Sequence, residues 1–132
     1  MADPADIASA LLARVATLSV GSPALPIAYP DRPFNPPADG KYLEASVFFN
    51  RPAWEGLTTG RMDQGLLQVT VVWPKGQGIP GPMRHAADVM AHFPKALTLT
   101  NGVKVSAQPY AASPILDGAD TRIPITISWT AI

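Results

Sequence analysis

The stretch that decides the fold is Arg61–Phe93, which reads RMDQGLLQVTVVWPKGQGIPGPMRHAADVMAHF. Within it, Gly65–Trp73 carries apolar side chains on both alternating faces, which predicts a strand at the centre of a sheet or under a partner. The run stops at Pro74, and a loop rich in glycine and proline follows. Met83–Phe93 then places its apolar residues on one side at helical spacing and ends before a proline, which predicts an amphipathic helix.

A second helix is expected near the start of the chain. Asp3 is a good N-cap, and Pro4 suits the first helical position because its missing N–H would have no partner there. The apolar residues that follow share one arc of a helix that ends before Gly21. They are Ile7, Ala8, Leu11, Leu12, Val15 and Leu18. This apolar arc predicts that the helix packs on a sheet.

Strand patterns precede the central run as well. Ile27–Tyr29 is a short extended piece. Lys41–Asn50 alternates two sets of side chains and carries aromatic residues on both faces, which predicts a longer strand. Arg51–Asp63, which is rich in glycine and threonine, is expected to be a loop between that strand and the central one.

The last third of the chain predicts a hairpin and a terminal strand. Ala96–Thr100 and Val103–Gln108 flank an Asn-Gly pair at Asn101, which is the strongest short hairpin signal. Thr121–Ile132 alternates isoleucines with polar residues, as a strand does. Pro124 lies inside it and lacks a ladder donor, so we expect the N-terminal half of this strand at a sheet edge.

The order of elements indicates one fold class. Helix, strands, helix and strands in succession predict an α+β fold, a mostly antiparallel sheet packed with two helices. The 132 residues suit a single domain with one core, over residues 1–132. No internal repeat or linker divides the chain.

Composition excludes several classes of function. Charged residues make up 15% of the chain, against about 25% in a typical soluble domain, so we expect a partner to cover part of the surface. Ten basic and ten acidic residues cancel, so no basic field gathers nucleic acid or favours an anionic membrane. There is no cysteine, which excludes disulfides and thiolate metal sites. The acidic N-terminus lacks a basic leader, and no apolar run reaches membrane-spanning length. We therefore expect synthesis in the cytoplasm.

The Gly/Pro loop before the second helix resembles a phosphate-binding loop only superficially. A helix N-terminus can face an anion. However, the segment PKGQGIPG has no following Lys-Ser or Lys-Thr pair, and Pro80 and Pro82 remove two donors. A structural turn between strand and helix is the favoured interpretation.

Metal and acid–base sites have equally weak support. His85, Asp88 and His92 share one helix face, but the two histidines are two turns apart, roughly 10 Å by helix rise. A solvated polar face, with Arg84 placed to pair with Asp88, is the simpler interpretation. Among the acids, Glu44 and Asp63 could meet across strands. No nucleophile motif appears, so we predict no catalytic residue, metal site or cofactor.

Loop residues are the candidates for protein contacts. Six prolines between residues 23 and 37 predict a stiff loop, which loses little entropy on docking. On the Arg51–Asp63 loop, Trp54 and Leu57 are candidate interface anchors, although Trp54 folding back over the core edge is as good an interpretation. Arg51 and Arg61 on the same loop pair with acids of a neighbour or are plain solvated charges.

The chain resembles the tail terminator proteins of long, non-contractile-tailed phages and phage-like particles such as gene transfer agents and prophages. The resemblance covers the N-terminal helix, the Pro-rich loop with Tyr29-Pro30, and the second helix. It also covers the terminal strand, Ile123–Ile132. Its most specific part is the segment GLLQVTVVWPKGQG, which is Gly65–Gly78. This is a pattern of structure rather than of catalysis.

The resemblance implies a builder of rings rather than an enzyme. Such a protein forms a homo-hexameric ring on the tail tube protein, stops tube polymerisation and offers a docking surface to the head-completion protein. DNA would meet the ring only in passage through its channel, and no membrane is involved. The protein would lie at the neck end of the virion tail. The expected interface residues are Tyr29, Arg32, Phe34, Arg51, Trp54, Leu57 and Arg61.

Two alternatives stay open. One is a head-completion or neck connector protein of the same kind of particle, which would contact the portal rather than the tube. The other is a small α+β enzyme or ligand-binding domain, for which a deep pocket with convergent polar groups would be the sign.

Overall fold

A computed structural model describes residues 3–21, 24–54, 61–116 and 118–131 of the chain. In this part of the chain two α-helices and eight strands form an α+β fold, which confirms the expected class. The helices are α1 (Pro4–Ala16) and α2 (Pro80–His92). The strands are β1 (Ile27–Ala28), β2 (Tyr42–Phe49), β3 (Ala53–Trp54), β4 (Arg61–Pro74), β5 (Val103–Val105), β6 (Tyr110–Ala111), β7 (Ile115–Leu116) and β8 (Asp120–Ala131).

The sheet is built around β4, as its apolar faces predict. The strand order is β1-β2-β4-β8-β5, and β3 pairs with β4 while β6 and β7 pair with β8. β4 pairs with β2 from Gly65 to Val72 and with β8 from Asp63 to Pro74. These pairs are antiparallel, and the short β1 is parallel to β2. A central strand has neighbours on both sides, so its backbone groups are satisfied along its length.

Both helices share one hydrophobic core with one face of the sheet. On β4 and β8 this inner face consists of odd-numbered residues that lie opposite one another, such as Val69 and Ile125, and both are fully buried. The helices contribute Ile7, Leu11 and Val15 from α1 and Ala86, Val89 and Phe93 from α2 and its C-cap. Burial of each large apolar side chain contributes about 1.5–3 kcal/mol, so this face holds the domain together.

The first helix begins as the sequence predicts. Asp3 is the N-cap, and its Oδ1 accepts a hydrogen bond from the backbone N–H of Asp6 at 2.8 Å. Pro4 occupies the first turn. The second helix differs from the expectation, since it starts three residues earlier, at Pro80 rather than Met83. Prolines fit there because the first turn of a helix needs no N–H donors.

The segment expected to be a loop, Arg51–Asp63, partly forms a two-stranded arm instead. Ala53 pairs with Met62, and Trp54 pairs with Arg61. Three residues of the β2–β3 side face two of the β4 side between these pairs and the Phe49–Gly65 pair, so a bulge separates β2 from β3. The loop prediction was therefore wrong at these positions. We call this two-stranded extension of β3 and β4 the arm.

The Asn-Gly pair forms the turn that was predicted. Asn101 and Gly102 have φ values of 60° and 72°, the positive values that a tight hairpin turn requires. The Leu99 N–H donates to the Val103 carbonyl at 2.7 Å. The flanking strands are shorter than expected, because only an isolated bridge from Thr98 to Lys104 lies opposite β5.

Pro124 is not at a free edge, so that expectation was wrong. β4 lies on one side of it, and β6 and β7 lie along the other side of β8. The Ala112 N–H donates to the Pro124 carbonyl at 2.8 Å. In an antiparallel ladder the nitrogen and carbonyl of a residue point to the same side, so the proline nitrogen faces residues 112–114. There the ladder between β6 and β7 is interrupted and no donor is required.

The C-terminal ends of the two helices are joined by a polar cluster. Nε and Nη2 of Arg14 donate to the His92 carbonyl, at 3.2 and 2.8 Å, and so cap the end of α2. The Thr17 hydroxyl donates to the Arg14 carbonyl at 2.7 Å and lies 2.6 Å from Nε2 of His92. Because that hydroxyl has already donated its proton, it accepts a hydrogen bond from the Nε2–H of His92.

Gly65 is predicted to tolerate no side chain. A Cβ at this position would overlap the Phe48 carbonyl oxygen and lie 2.7 Å from Cζ2 of Trp129. We expect Gly65→Ala to lower the free energy of unfolding by about 3 kcal/mol, because both neighbours are fixed by the sheet and the core. Gly81→Ala in α2 is the matched control: its Cβ would lie 3.9 Å from the Trp73 ring, and stability should stay equal or rise by about 1 kcal/mol. Urea unfolding measures both, and equal stabilities would contradict this assignment.

Stability is predicted to fall as the pH is lowered through the titration of His92. Burial, and then the positive charge of Arg14, lower the pKa of His92 from its ordinary value of 6.5. Below pH 6.5 the unfolded chain therefore binds a proton that the folded chain does not, so the free energy of unfolding decreases with decreasing pH. Urea titrations between pH 5 and 8 measure this slope. In His92→Gln the slope should be shallower, and an unchanged slope would rule out His92 as its source.

Candidate interaction surfaces

Three of the predicted interface residues lie together around one groove. Tyr29, Arg32 and Phe34 follow β1 and line a groove at the β1–β2 edge of the sheet, and Tyr29 and Arg32 also lie beside Leu12 of α1. Tyr42 and Glu44 of β2 form the floor of the groove, which encloses about 400 Å³. We call this site the aromatic groove. Its remaining lining residues are Ala28, Pro30, Pro36, Ala45 and Ser46.

Hydrogen bonds and ring packing hold the loop between β1 and β2, which forms the aromatic groove, in place. The Leu43 N–H donates to the Pro26 carbonyl at 2.9 Å, which holds the start of the loop beside β2. At the other end Gly40 has a φ of 71° and donates to the Pro37 carbonyl at 2.9 Å. Between them the rings of Phe34 and Tyr42 pack at a centroid distance of 5.0 Å. The prolines restrict the remaining backbone, so the groove is largely preformed.

The charges at the groove are of two kinds. Glu44 is held by Arg122 on β8, whose Nη1 lies 3.5 Å from the carboxylate, and Arg122 also reaches Asp120 at 3.5 Å. Burial alone would lower the pKa of Arg122, but the attraction of Glu44 in the first place, and of Tyr42 and Asp120, raises it. Arg32 is exposed, and no ion pair to it is found among the described residues. The groove thus combines aromatic walls with one free positive charge.

Three of the other four predicted residues, Arg51, Trp54 and Arg61, lie in or beside the arm, away from the aromatic groove. Arg51 is exposed, and its carbonyl accepts a hydrogen bond from Nε2 of Gln64 at 3.0 Å. Trp54 and Arg61 are cross-strand neighbours, of which the backbone alone is described. Leu57 lies outside the described residues. The six described candidates therefore divide between two surfaces.

Exposed phenylalanines extend the arm surface at its base. Phe48 and Phe49 end β2 with about half of each side chain exposed, at 48% and 47%. The Phe49 ring packs edge-on against Trp129 at a centroid distance of 5.3 Å. Successive residues of a strand point to opposite faces, so the two rings lie on different faces of the sheet, and each is a separate candidate contact. The alternating pattern of Lys41–Asn50 indicated aromatics on both faces but not that these two would be uncovered.

A third surface was missed by the sequence analysis. Ile115 and Leu116 of β7 are 53% and 75% exposed, and Tyr110 of β6 is 59% exposed. These residues lie on the sheet edge opposite β1 and β2. A short Ile-Leu pair between a proline and an Asp-Gly turn was a signal available in the sequence. Such a pair is equally typical of a core segment, so the sequence alone does not distinguish the two.

The residues considered for chemistry do not converge. His85 lies against Trp73 at a centroid distance of 5.1 Å, with Nδ1 4.0 Å from Asp88, whereas His92 is bound into the helix cluster described above. Asp88 is therefore near His85 rather than paired with Arg84. Glu44 lies level with Thr70, seven residues along β4 from Asp63, which is roughly 23 Å. The suggestion that these two acids meet is wrong.

Two kinds of feature are absent from the described residues. Within them, no group of three or more histidine, aspartate or glutamate side chains is arranged to hold a metal ion. None of the described helices has the length and hydropathy needed to cross a membrane.

The fold and its exposed surfaces are those of a protein that contacts other proteins. This is a small α+β domain with a stiff aromatic groove, a projecting arm and an exposed apolar edge, all suited to contact with other proteins. The comparisons give the family. The chain belongs to the phage tail terminator protein family, whose sequence profile matches residues 6–129. It is therefore a phage tail protein with a structural role in virion assembly.

A solved structure supports the same fold. One chain of known structure has 32% sequence identity to this protein and superimposes with a TM-score of 0.70. The match covers 85% of this chain and 82% of the other. A comparison with curated proteins finds no match.

Proposed function

We propose that this protein is the terminator subunit of a phage or phage-like tail, of the kind found in prophages and gene transfer agents. Six copies form a ring on the end of the tail tube. The ring stops polymerisation of the tube protein and presents a docking surface to the head-completion protein. The observation that carries this proposal is the family membership, which spans nearly the whole chain.

The distribution of surfaces supports ring formation. A closed ring of identical subunits uses heterologous contacts, in which two different surfaces of one subunit meet those of its neighbours. The sheet carries the aromatic groove on its β1–β2 edge and the exposed β7 on its other edge. Two unlike edges on one rigid sheet suit such a contact.

The arm is suited to contacts along the axis of the particle. The arm begins at the Phe49 end of β2, whereas the groove floor lies at the Tyr42 end. Phe48 and Phe49 are exposed at its base. We assign to it the contact with the tube protein or the head-completion protein. Exposed aromatic and arginine side chains are frequent anchors in such interfaces.

The charge balance agrees with passage of DNA through the ring. Ten basic and ten acidic residues leave no net charge. A strongly basic subunit would retain DNA by phosphate contacts and counterion release. A neutral subunit lets the DNA move through the channel.

Deleting the gene distinguishes this role from its alternatives. We expect electron micrographs of particles made without the protein to show tails that are longer than normal and not joined to heads. Expression of the protein from a plasmid should restore tail length, which controls for effects on neighbouring genes. Normal-length tails beside unattached heads would instead indicate a neck connector, and wholly normal particles would favour an enzyme or ligand-binding domain.

A further inference from the structure

The Asn-Gly pair that forms the turn before β5 is also a place where the chain can modify itself. An asparagine deamidates when the backbone nitrogen of the following residue attacks Cγ of its side chain. Glycine favours this attack most, because it has no Cβ to hinder the approach of its nitrogen. The chain contains three asparagines, and Asn101 is the one that precedes a glycine.

The other two asparagines are internal references for the reaction. Asn35 precedes Pro36, whose nitrogen carries no hydrogen and therefore cannot form the cyclic imide with loss of ammonia. Asn50 precedes Arg51, whose side chain hinders the attack. All three asparagines are exposed, so access to water does not distinguish them. The residue that follows Asn101 is what makes it the reactive one.

The folded backbone holds Asn101 away from the geometry that the reaction needs. Its φ is 60° and its ψ is 28°. At this ψ the Gly102 nitrogen lies across the Cα–C bond from the side chain, nearly anti to Cβ, so it does not reach Cγ. The Leu99 N–H donates to the Val103 carbonyl at 2.7 Å and closes the hairpin around the turn. Deamidation therefore requires the turn to open.

The side chain of Asn101 is also held, by the start of α1. Its Nδ2 donates to the Asp6 carbonyl at 3.2 Å. Asp6 is in turn fixed by the N-cap, because its N–H donates to Oδ1 of Asp3 at 2.8 Å. The first turn of α1 thus restrains the amide group that has to leave. A helix end opens at a lower free energy than the core, so this restraint is released without global unfolding.

We propose that Asn101 is a site of spontaneous deamidation and that the first turn of α1 gates the reaction. The Gly102 nitrogen forms a bond to Cγ, the bond from Cγ to Nδ2 breaks, and Nδ2 leaves as ammonia with the Gly102 amide proton. Water then opens the succinimide to aspartate or isoaspartate. The product has no side-chain N–H to donate to the Asp6 carbonyl, so the tie between the hairpin and α1 is lost. This modification does not depend on the proposed ring.

Mass spectrometry of the purified protein at pH 8 tests the site. Deamidation replaces an amino group by a hydroxyl, and peptide mapping assigns the mass change to one asparagine. In urea we expect Asn101 to be converted about tenfold faster than Asn50, and Asn35 to stay intact. In the folded protein Asn101 should still be converted first, but about tenfold more slowly than in urea.

Either of two results would overturn this part of the proposal. Equal rates at Asn101 and Asn50 in urea would show that the glycine does not select the site. Equal rates at Asn101 in the folded protein and in urea would show that the fold does not restrain it.

Two matched variants test the gate. Asp3→Ala removes the cap that fixes Asp6, whereas Ala87→Gly lowers stability from an exposed position on the other helix. The two losses of stability should be similar, which urea unfolding checks. In the folded protein Asp3→Ala should speed conversion of Asn101 about fivefold, since removing a cap weakens the helix start by a comparable factor. Ala87→Gly should leave the rate nearly unchanged.

In urea neither variant should alter the rate, because the gate is then absent. Equal acceleration of the folded protein by both variants would mean that global unfolding admits the reaction, and it would overturn the gate. No acceleration by Asp3→Ala would overturn it as well.

Discussion

The register of β4 against β2 and β8 is the constraint on which the structure depends. Alternate residues of these strands are buried against the helices, so a slip of one residue would turn the whole apolar set to the outer face. Trp129 and Gly65 reinforce the register, because the indole ring occupies the space that any side chain at position 65 would need. Since both sheet edges are placed relative to β4, this register also places the interaction surfaces.

A rigid sheet with different edges explains how a small neutral domain acts as a building block. The helices and the inner face supply stability, while exposed side chains at the aromatic groove, at the base of the arm and on β7 are available to partners. Arg122 on β8 contacts both Glu44 on β2 and Asp120 on its own strand. This bridge ties β2, which carries the groove floor, to β8, which pairs with β7. Stiff surfaces lose little entropy on docking, which favours assembly from weak individual contacts.

Long or strongly patterned elements could be predicted from the sequence. The apolar run Gly65–Trp73, the Asp3 cap and the Asn-Gly turn at Asn101 each have a local physical cause, and each is present in the structure. The prediction that Pro124 lies at a sheet edge was wrong, because the neighbouring ladder is interrupted where the proline lacks an N–H donor. That interruption involves residues distant in the sequence, so local rules do not reveal it.

The candidate surfaces were predictable only in part. The Pro-rich loop indicated a stiff contact site, and the structure brings Tyr29, Arg32 and Phe34 together. The arm was not predicted, because β3 has two residues and its pairing is set by a bulge. The exposure of Ile115 and Leu116 depends on which other segments pack beside them. An apolar pair in a sequence can be buried or exposed, so the sequence alone does not predict their exposure.

The most direct test of the central claim is electron microscopy of tail tubes mixed with the purified protein. Class averages of tube ends should show a six-fold ring at one end of each tube, and capped tubes should stop growing when tube protein is added. Tubes that bind no protein at either end, or that keep growing from a decorated end, would contradict the account.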